Sequence, residues 1–409
     1  MNDKTINVDG VNLKRPFQIR RLGHFGLNVA YPNDSMAFYG DLLGFEMSDP
    51  LDFGPRIAEP IRSQVGPTVG YFTRHGTDHH SFVLFPRKAV NAANPHYKDY
   101  PELTINQITW QVSTLREVTQ GHDWFQSNDV KILRSGRDTP GSNWHFYPVD
   151  PCGHINELYY GIEQIGWSGL SKPPEMHTIK HLKPPQLPYP SEYSEVEHAL
   201  NEGIDIHSGW KKEITLDETF DVGGVLLARP FKVCKIGPLH LWVDDVEKAL
   251  HFYTHDLGLT MTEEVTIEAE KCVFLRANTE HHALGLFPQS LKSKLGLHLP
   301  NPSSLVSFGF QVGSYKQLTD AVSFLTERGC KLHELPHSFS PGIGHHVYLV
   351  DPDGFLIQLY WEMEQIGWDG KPRPAALRRT FDSDPKNWPP NIEPLSDSYC
   401  GEIFLGPLN

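Results

Sequence analysis

Positive charge is scarce in this chain of 409 residues: 36 lysines and arginines face 50 aspartates and glutamates, for a formal net charge of −14. That balance works against broad binding to nucleic acid or to an anionic membrane, both of which need a positive surface field, although a local pocket can still hold an anion. Cysteine is sparse as well. Cys152, Cys234, Cys272, Cys330 and Cys400 form no CxxC pair, and an odd count without a secretory signal favours reduced thiols over a disulfide framework or a structural zinc site. No apolar run approaches the roughly 18 residues of a membrane span, and the start MNDKTINVDG lacks the basic-then-apolar order of a leader. The expectation is a soluble, cytoplasmic protein. A glycine-rich nucleotide loop in a strand–helix context, a GKS or GKT sequence and HExxH are all absent, so nucleotide and zinc-peptidase chemistry have no motif to rest on.

Packing material is plentiful, with 39% hydrophobic and 11% aromatic residues, and the length suits two cores. The chain repeats itself. GHFGLNVAYPNDSMAFYGDLLGF (23–45) returns as PLHLWVDDVEKALHFYTHDLGL (238–259), DHHSFVLFP (78–86) as EHHALGLFP (280–288), and INQITWQV (105–112) as LVSFGFQV (305–312). NELYYGIEQIGW (156–167) faces IQLYWEMEQIGW (357–368) at an offset of 201 residues.

Each copy reads as a strand feeding a helix. Asn33 or Asp34 can cap the first helix and Asp244 the second; Val246, Leu250, Tyr253 and Leu257 recur at helical spacing, and Gly44 and Gly258 suit the C-terminal stop. Within each half the strand, helix and strands occur twice. The fold expected is α+β, two tandem domains each built from paired βαβββ modules with mixed sheets. The boundaries are an N-terminal extension over 1–19, a first domain over 20–167, a proline-rich linker over 168–231, a second domain over 232–368 and a tail over 369–409. A short helix is expected over 191–201 in the linker; the tail is irregular, either packing across the domains or disordered.

The 22 histidines direct attention to chemistry. His24 and His240 stand on the first strand of their domains, where a lone imidazole is a hydrogen-bonded core residue unless a carboxylate converges on it. Glu157 lies on a final strand, and burying its charge calls for a cation, whether a metal or a basic side chain. His145 and Tyr147, like His346 and Tyr348, are two apart and share a strand face, as ordinary core or as a wall beside a substrate. Of the doublets His79–His80 and His281–His282, strand alternation should turn only one member inward, His80 and His282 being the choices.

The series GHFGLNV, HHSFVLF, INQITWQV, HFYPVDPCGHINELYYG and its second copy resemble the type I extradiol dioxygenases of the vicinal oxygen chelate superfamily, over roughly two-thirds of the chain. The resemblance implies tandem glyoxalase/extradiol-dioxygenase-like domains and a divalent metal, Fe(II) first and Mn(II) or another ion next, held by two histidines and a glutamate. Carried onto this sequence, those positions are His24, Gln107 and Glu157 in the first domain, and His240, Ser307 and Gln358 in the second. Neither set is His-His-Glu. His145 is the residue that could complete the first site; His240, His282 and His346, beside Tyr348, could form a second pocket. The resemblance further implies His80 as acid/base, Tyr147 as the substrate-side phenol, Asp138 at a loop position that often carries another active-site histidine, and, near that position in the second copy, His337. The partners implied are a small aromatic diol and dioxygen, with no nucleic acid or membrane, and a homo-oligomer is compatible with the composition. The competing readings are a metal-dependent isomerase or lyase of the same superfamily and a noncatalytic aromatic-ligand-binding protein.

Overall fold

Alternation along the strands organises the whole molecule, because successive side chains point to opposite faces of a sheet. The computed structural model describes residues 5–8, 10–137, 140–177, 181–213, 218–295 and 303–392. A hairpin of β1 (Ile6–Val8) and β2 (Val11–Leu13) precedes the first large sheet. That sheet holds β3 (Arg21–Val29), β4 (Glu46–Asp52), β5 (Val69–Arg74), β6 (Phe82–Pro86), β7 (Ile105–Gln111), β8 (Ile132–Arg137), β9 (Trp144–Pro148) and β10 (Asn156–Tyr160) in the order β4-β5-β6-β3-β7-β10-β9-β8. A second hairpin, β11 (Phe220–Val222) and β12 (Val225–Leu227), leads into the same arrangement again: β13 (Val233–Val243), β14 (Thr260–Ile267), β15 (Glu270–Arg276), β16 (Leu284–Pro288), β17 (Leu305–Val312), β18 (Leu332–His333), β19 (His346–Val350) and β20 (Leu356–Tyr360). Each sheet is therefore two four-strand modules joined side by side, at β3–β7 and at β13–β17. The α+β tandem architecture matches the reading of the sequence. No helix among the described residues is long and apolar enough to cross a membrane.

The helix starts differ in detail from those expected. The first helix opens on Pro32 with Tyr31 at the cap, so Asn33 and Asp34 lie inside the first turn. In the second it is Asp245, with an extended backbone, whose carboxylate accepts from the Lys248 amide at 3.0 Å, rather than Asp244. Gly44 and Gly258 end these helices at φ +87° and +95°, a conformation that favours glycine.

One face of each sheet builds a core that both domains share. Phe25, Leu27, Phe82 and Leu84 from the first sheet and Leu239, Leu241, Phe308 and Phe310 from the second belong to a single cluster. Ring centroids of Phe25 and Phe308 lie 5.4 Å apart, and those of Phe45 and Phe310 4.8 Å. The opposite faces carry separate clusters, Phe53, Phe72, Phe85, Tyr97 and Tyr147 in the first domain and Trp242, Phe274, Phe287 and Phe339 in the second. His24 and Gly26 of β3 fall on this second face, alternating with the core residues Phe25 and Leu27.

Reciprocal polar contacts lock the halves together. Tyr39 donates to Asp351 at 2.7 Å, and Tyr253 to Asp150 at 2.9 Å. Arg15 donates to the Thr254 and His255 carbonyls; Arg229 donates to those of Gly40 and Asp41. The linker contains the expected helix, Glu192–Asn201 with Ser191 at its cap, and Arg137 forms an ion pair with its Glu195. The described part of the tail packs on the second domain: Arg378 pairs with Glu263 and Glu364, and Trp388 lies 5.0 Å from the His345 ring.

Candidate active site in the first domain

Three neighbouring strands bring the candidate ligands onto one face. β3 pairs with β7 so that His24 faces Thr109 and Gly26 faces Gln107, while β10 lies parallel to β7 with Glu157 beside Thr109. Glu157 is 1% exposed, a burial that a carboxylate tolerates only with donors around it. They are present. His24 Nε2 lies 3.2 Å from Oε2, the Gln107 amide 3.2 Å and the Thr109 hydroxyl 3.0 Å, while Asn143 donates to Oε1 at 2.7 Å. Burial opposes the charged form, yet His24 by charge and hydrogen bond, then His145 and Arg134, hold the carboxyl at about 2. Thr109 and Asn143 were not singled out in the sequence; the pairing of Thr109 with Glu157 follows only from strand register.

A cavity of about 560 Å³ opens onto this cluster and is lined by His24, His80, Gln107, Asn143, Tyr147 and Glu157, with Phe53, Phe72, Phe85, Tyr97 and Ile155 along its wall. His145 is not part of the lining. It sits behind, with Nδ1 3.6 Å from Oε1 of Glu157, the oxygen opposite the one that His24 and Gln107 approach. Among the described residues, His, Cys, Asp and Glu side chains bring three donor atoms within 4.8 Å of one another only at the surface group His251, His255 and Asp256. His145 therefore does not close a compact set with His24 and Glu157, contrary to the expectation that it completes the site. Asp138 lies outside the described residues.

Both members of each histidine doublet are buried, because they occupy a bend before β6 or β16 and not the strand itself. They form a relay. Asp49 Oδ2 meets His79 Nε2 at 2.7 Å, and His79 Nδ1 meets His80 Nδ1 at 3.1 Å. A carboxylate only accepts, so the His79 proton sits on Nε2. With both rings neutral, His80 must then donate through Nδ1, which leaves its Nε2 lone pair without a protein partner among the described residues. Burial pushes His80 well below the usual imidazole range, so it stands neutral.

The second domain repeats the relay and spends its end. Glu263 meets His281 at 2.9 Å, His281 meets His282 at 2.9 Å, and His282 Nε2 meets His240 Nε2 at 3.0 Å; the other nitrogen of His240 bonds Ser307 at 3.0 Å. Tyr348 and Gln358 are both tied to the Ser340 hydroxyl, at 2.6 and 2.8 Å. Space is missing too. Trp242 stands where the first domain has Gly26, and Phe339, at the repeat position of Asp138, stacks on Phe287 with centroids 5.1 Å apart. A hollow of about 230 Å³ beside His337, His346 and Tyr348 is lined by neither His240 nor His282. The four residues expected to form a second pocket thus do not open into one cavity.

A Cβ at Gly26 would run into the Phe85 ring, so glycine at this position leaves room for the wall of the cavity. The sequence signal was present in the alignment of GHFG with LHLW.

The donor set bears on whether a metal fits. His24 Nε2 and the Gln107 amide are each 3.2 Å from Oε2, close to the ~3.0 Å edge of an octahedron with metal–ligand bonds of ~2.1 Å. The two ends of an amide are assigned from hydrogen bonding, so Gln107 can present its oxygen instead. One feature weakens the fit: His24 Nδ1 is buried without a partner, whereas a ligating imidazole normally donates its second N–H. A divalent ion fits these residues, with a less supported histidine than such sites usually have.

The Glyoxalase/Bleomycin resistance protein/Dioxygenase superfamily model matches residues 21–158 and 235–359, more than half of the chain. The chain belongs to this superfamily. Its curated relatives include the 3-methylcatechol 2,3-dioxygenase of Pseudomonas putida, 26% identical over 144 residues that cover 35% of this chain and 43% of that protein. The biphenyl-2,3-diol 1,2-dioxygenase of Metapseudomonas furukawaii is 27% identical over 165 residues, covering 40% and 45%. The matches span less than half the length of these relatives. Among solved structures, the 2,3-dioxygenase LapB of Pseudomonas sp. KL28 has a TM-score of 0.54 at 13% identity over 87% of this chain and 96% of that one. The Mn(II)-bound glyoxalase of Novosphingobium aromaticivorans has 0.52 at 16%, over 86% and 85%. At these identities the likeness to solved structures shows the fold of this superfamily member.

Proposed function

We propose that this superfamily member is a metal-dependent extradiol ring-cleaving dioxygenase that acts on a small aromatic diol from its first domain. The observation that carries the reading is the meeting of His24, Gln107 and Glu157 at the buried end of a cavity that also presents His80 and Tyr147. His24 through Nε2, Glu157 through Oε2 and the Gln107 amide oxygen would hold the ion, Fe(II) or Mn(II). Bound there, it would supply a Lewis-acid anchor for two adjacent oxygens and the electron transfer that dioxygen needs.

The remaining steps belong to the chain. Phe72, Phe85 and Ile155 pack the ring and exclude water. His80 Nε2, bare because Asp49 and His79 fix its other nitrogen as a donor, takes a proton from a diol hydroxyl and returns it to the opened product. Tyr147 orients the neighbouring oxygen. Cleavage next to the diol puts both atoms of one dioxygen into one ring-opened, hydroxymuconic semialdehyde-type product.

One observation favours a second reading. Gln107 replaces an imidazole and Asn143 adds a further bond to Glu157, an arrangement equally suited to holding an enolate-forming isomerase or lyase site of the same superfamily. Oxygen uptake separates the two. The expected result, in an oxygen electrode with catechols and the Fe(II)- or Mn(II)-loaded protein, is one dioxygen consumed per ring opened. Product formed under strict anoxia would sink dioxygenation and leave the isomerase or lyase; neither uptake nor product would leave a binding protein.

A further inference from the structure

Burial sorts the cavity wall of the first domain into zones. The polar cluster around Glu157 is the closed end, and the aromatic and aliphatic side chains form the middle. Among the described residues, the exposed rim carries Arg56, Lys131 and Arg134 against a single carboxylate, Asp99. In a chain with 50 acidic and 36 basic side chains, such a rim has the opposite sign from the rest of the surface. The Arg134 guanidinium lies 4.2 Å from the centroid of the Tyr147 ring. His96 lies 5% exposed in the same wall, with Nε2 donating to the Gly153 carbonyl at 2.8 Å and Nδ1 unpartnered. Finally, about 560 Å³ falls within the ~300–1,000 Å³ of pockets that take drug-sized ligands, far more than a bare diol ring fills.

We infer that the substrate is a diol ring bearing a side chain that ends in a carboxylate, with the ring against the aromatic middle and the carboxylate at the rim of Arg56, Lys131 and Arg134. This rests on the diol reading above and adds to it the size and charge of the substrate. The apolar middle accommodates the ring and its methylenes, and the planar guanidinium of Arg56, 5.2 Å from the Phe53 ring centroid, can meet a carboxylate through two parallel N–H donors. The sign of the rim also draws the anion towards the mouth against the repulsion of the rest of the protein, an effect that salt screens.

The test is equilibrium binding by calorimetry, on the full Mn(II)-loaded chain without oxygen, of 3-(3,4-dihydroxyphenyl)propanoate, of neutral 4-propylcatechol and of 3-phenylpropanoate, which lacks the diol. Two or three exposed pairs, each worth less than a factor of about five, make the carboxylated diol about tenfold tighter than the neutral one at low salt. That ratio should fall towards one in 0.5 M salt (roughly a 4 Å screening length) and in a Lys131→Gln/Arg134→Gln variant. A neutral diol that binds as tightly, or a ratio the variant leaves unchanged, overturns the inference. Binding of 3-phenylpropanoate alone, lost in the variant, upholds the cationic rim and removes the diol reading. Failure of all three ligands to bind the folded protein overturns both.

Discussion

A single imidazole-to-amide exchange sets the character of the proposed site. An amide oxygen is a harder ligand than an imidazole, so Gln107 should shift preference from Fe(II) and Zn(II) towards Mn(II). Gln107→His is therefore expected to raise the Fe(II)-to-Mn(II) occupancy ratio, read by elemental analysis after competition in equimolar metals; an unchanged ratio would remove Gln107 from the ligand set. The lone His24 Nδ1 acts in the other direction, since a missing outer partner costs about 10- to 100-fold in metal affinity. Asp49 offers a test of the relay. Asp49→Asn lets an amide donate to His79 Nε2, which reverses both imidazoles and puts a proton on His80 where the lone pair stood. The turnover number should fall about 10²- to 10⁴-fold with KM little changed. ¹⁵N spectra of the histidines should show the exchange of tautomers, a signature that a merely structural loss would not give.

At the level of the elements, the two domains differ by plugs more than by strands. Strand order, module pairing and the shared core were legible because alternation and the long repeats carry them. The fate of His79 and His281 was not, because alternation holds on a strand and these residues precede one. Nor was the donor shell of Glu157, whose Thr109 and Asn143 come from a neighbouring strand and a loop. The plug itself was written in the repeat, where Gly26 aligns with Trp242. Gly26→Trp should therefore abolish diol binding, by calorimetry, and, because even a Cβ here meets the Phe85 ring, cost about 1–3 kcal/mol of stability, read as a lowered melting temperature with the cooperative transition kept. Retained binding would show that the ligand does not use this face of β3.

Across the whole molecule, pseudo-symmetric contacts hold two sheets together, and their two carboxylates are not equivalent. Asp150, which accepts from Tyr253, has the His154 Nδ1 at 3.0 Å; at the repeat position Asp351, which accepts from Tyr39, faces Phe355. Burial, aided by Asp353, raises Asp351 to about 7, against which the Tyr39 bond works only partly. A carboxyl raised in the folded state binds its proton there before it does in the unfolded chain. From about pH 4 to about pH 7 the folded state holds more protons, so this group's contribution to stability falls as pH rises, by at most ~1.4 kcal/mol per pH unit. Asp351→Asn keeps an acceptor for the Phe355 amide and a polar partner for Tyr39 while removing the charge. Its expected signature is a flatter dependence of unfolding free energy on pH across that window than in the parent chain, with the gain in relative stability largest above pH 7. Denaturant titrations at pH 5, 6, 7 and 8 measure it, and parallel profiles for the two proteins would show that Asp351 is ionised throughout and that the domain interface bears a buried charge at no cost in this range.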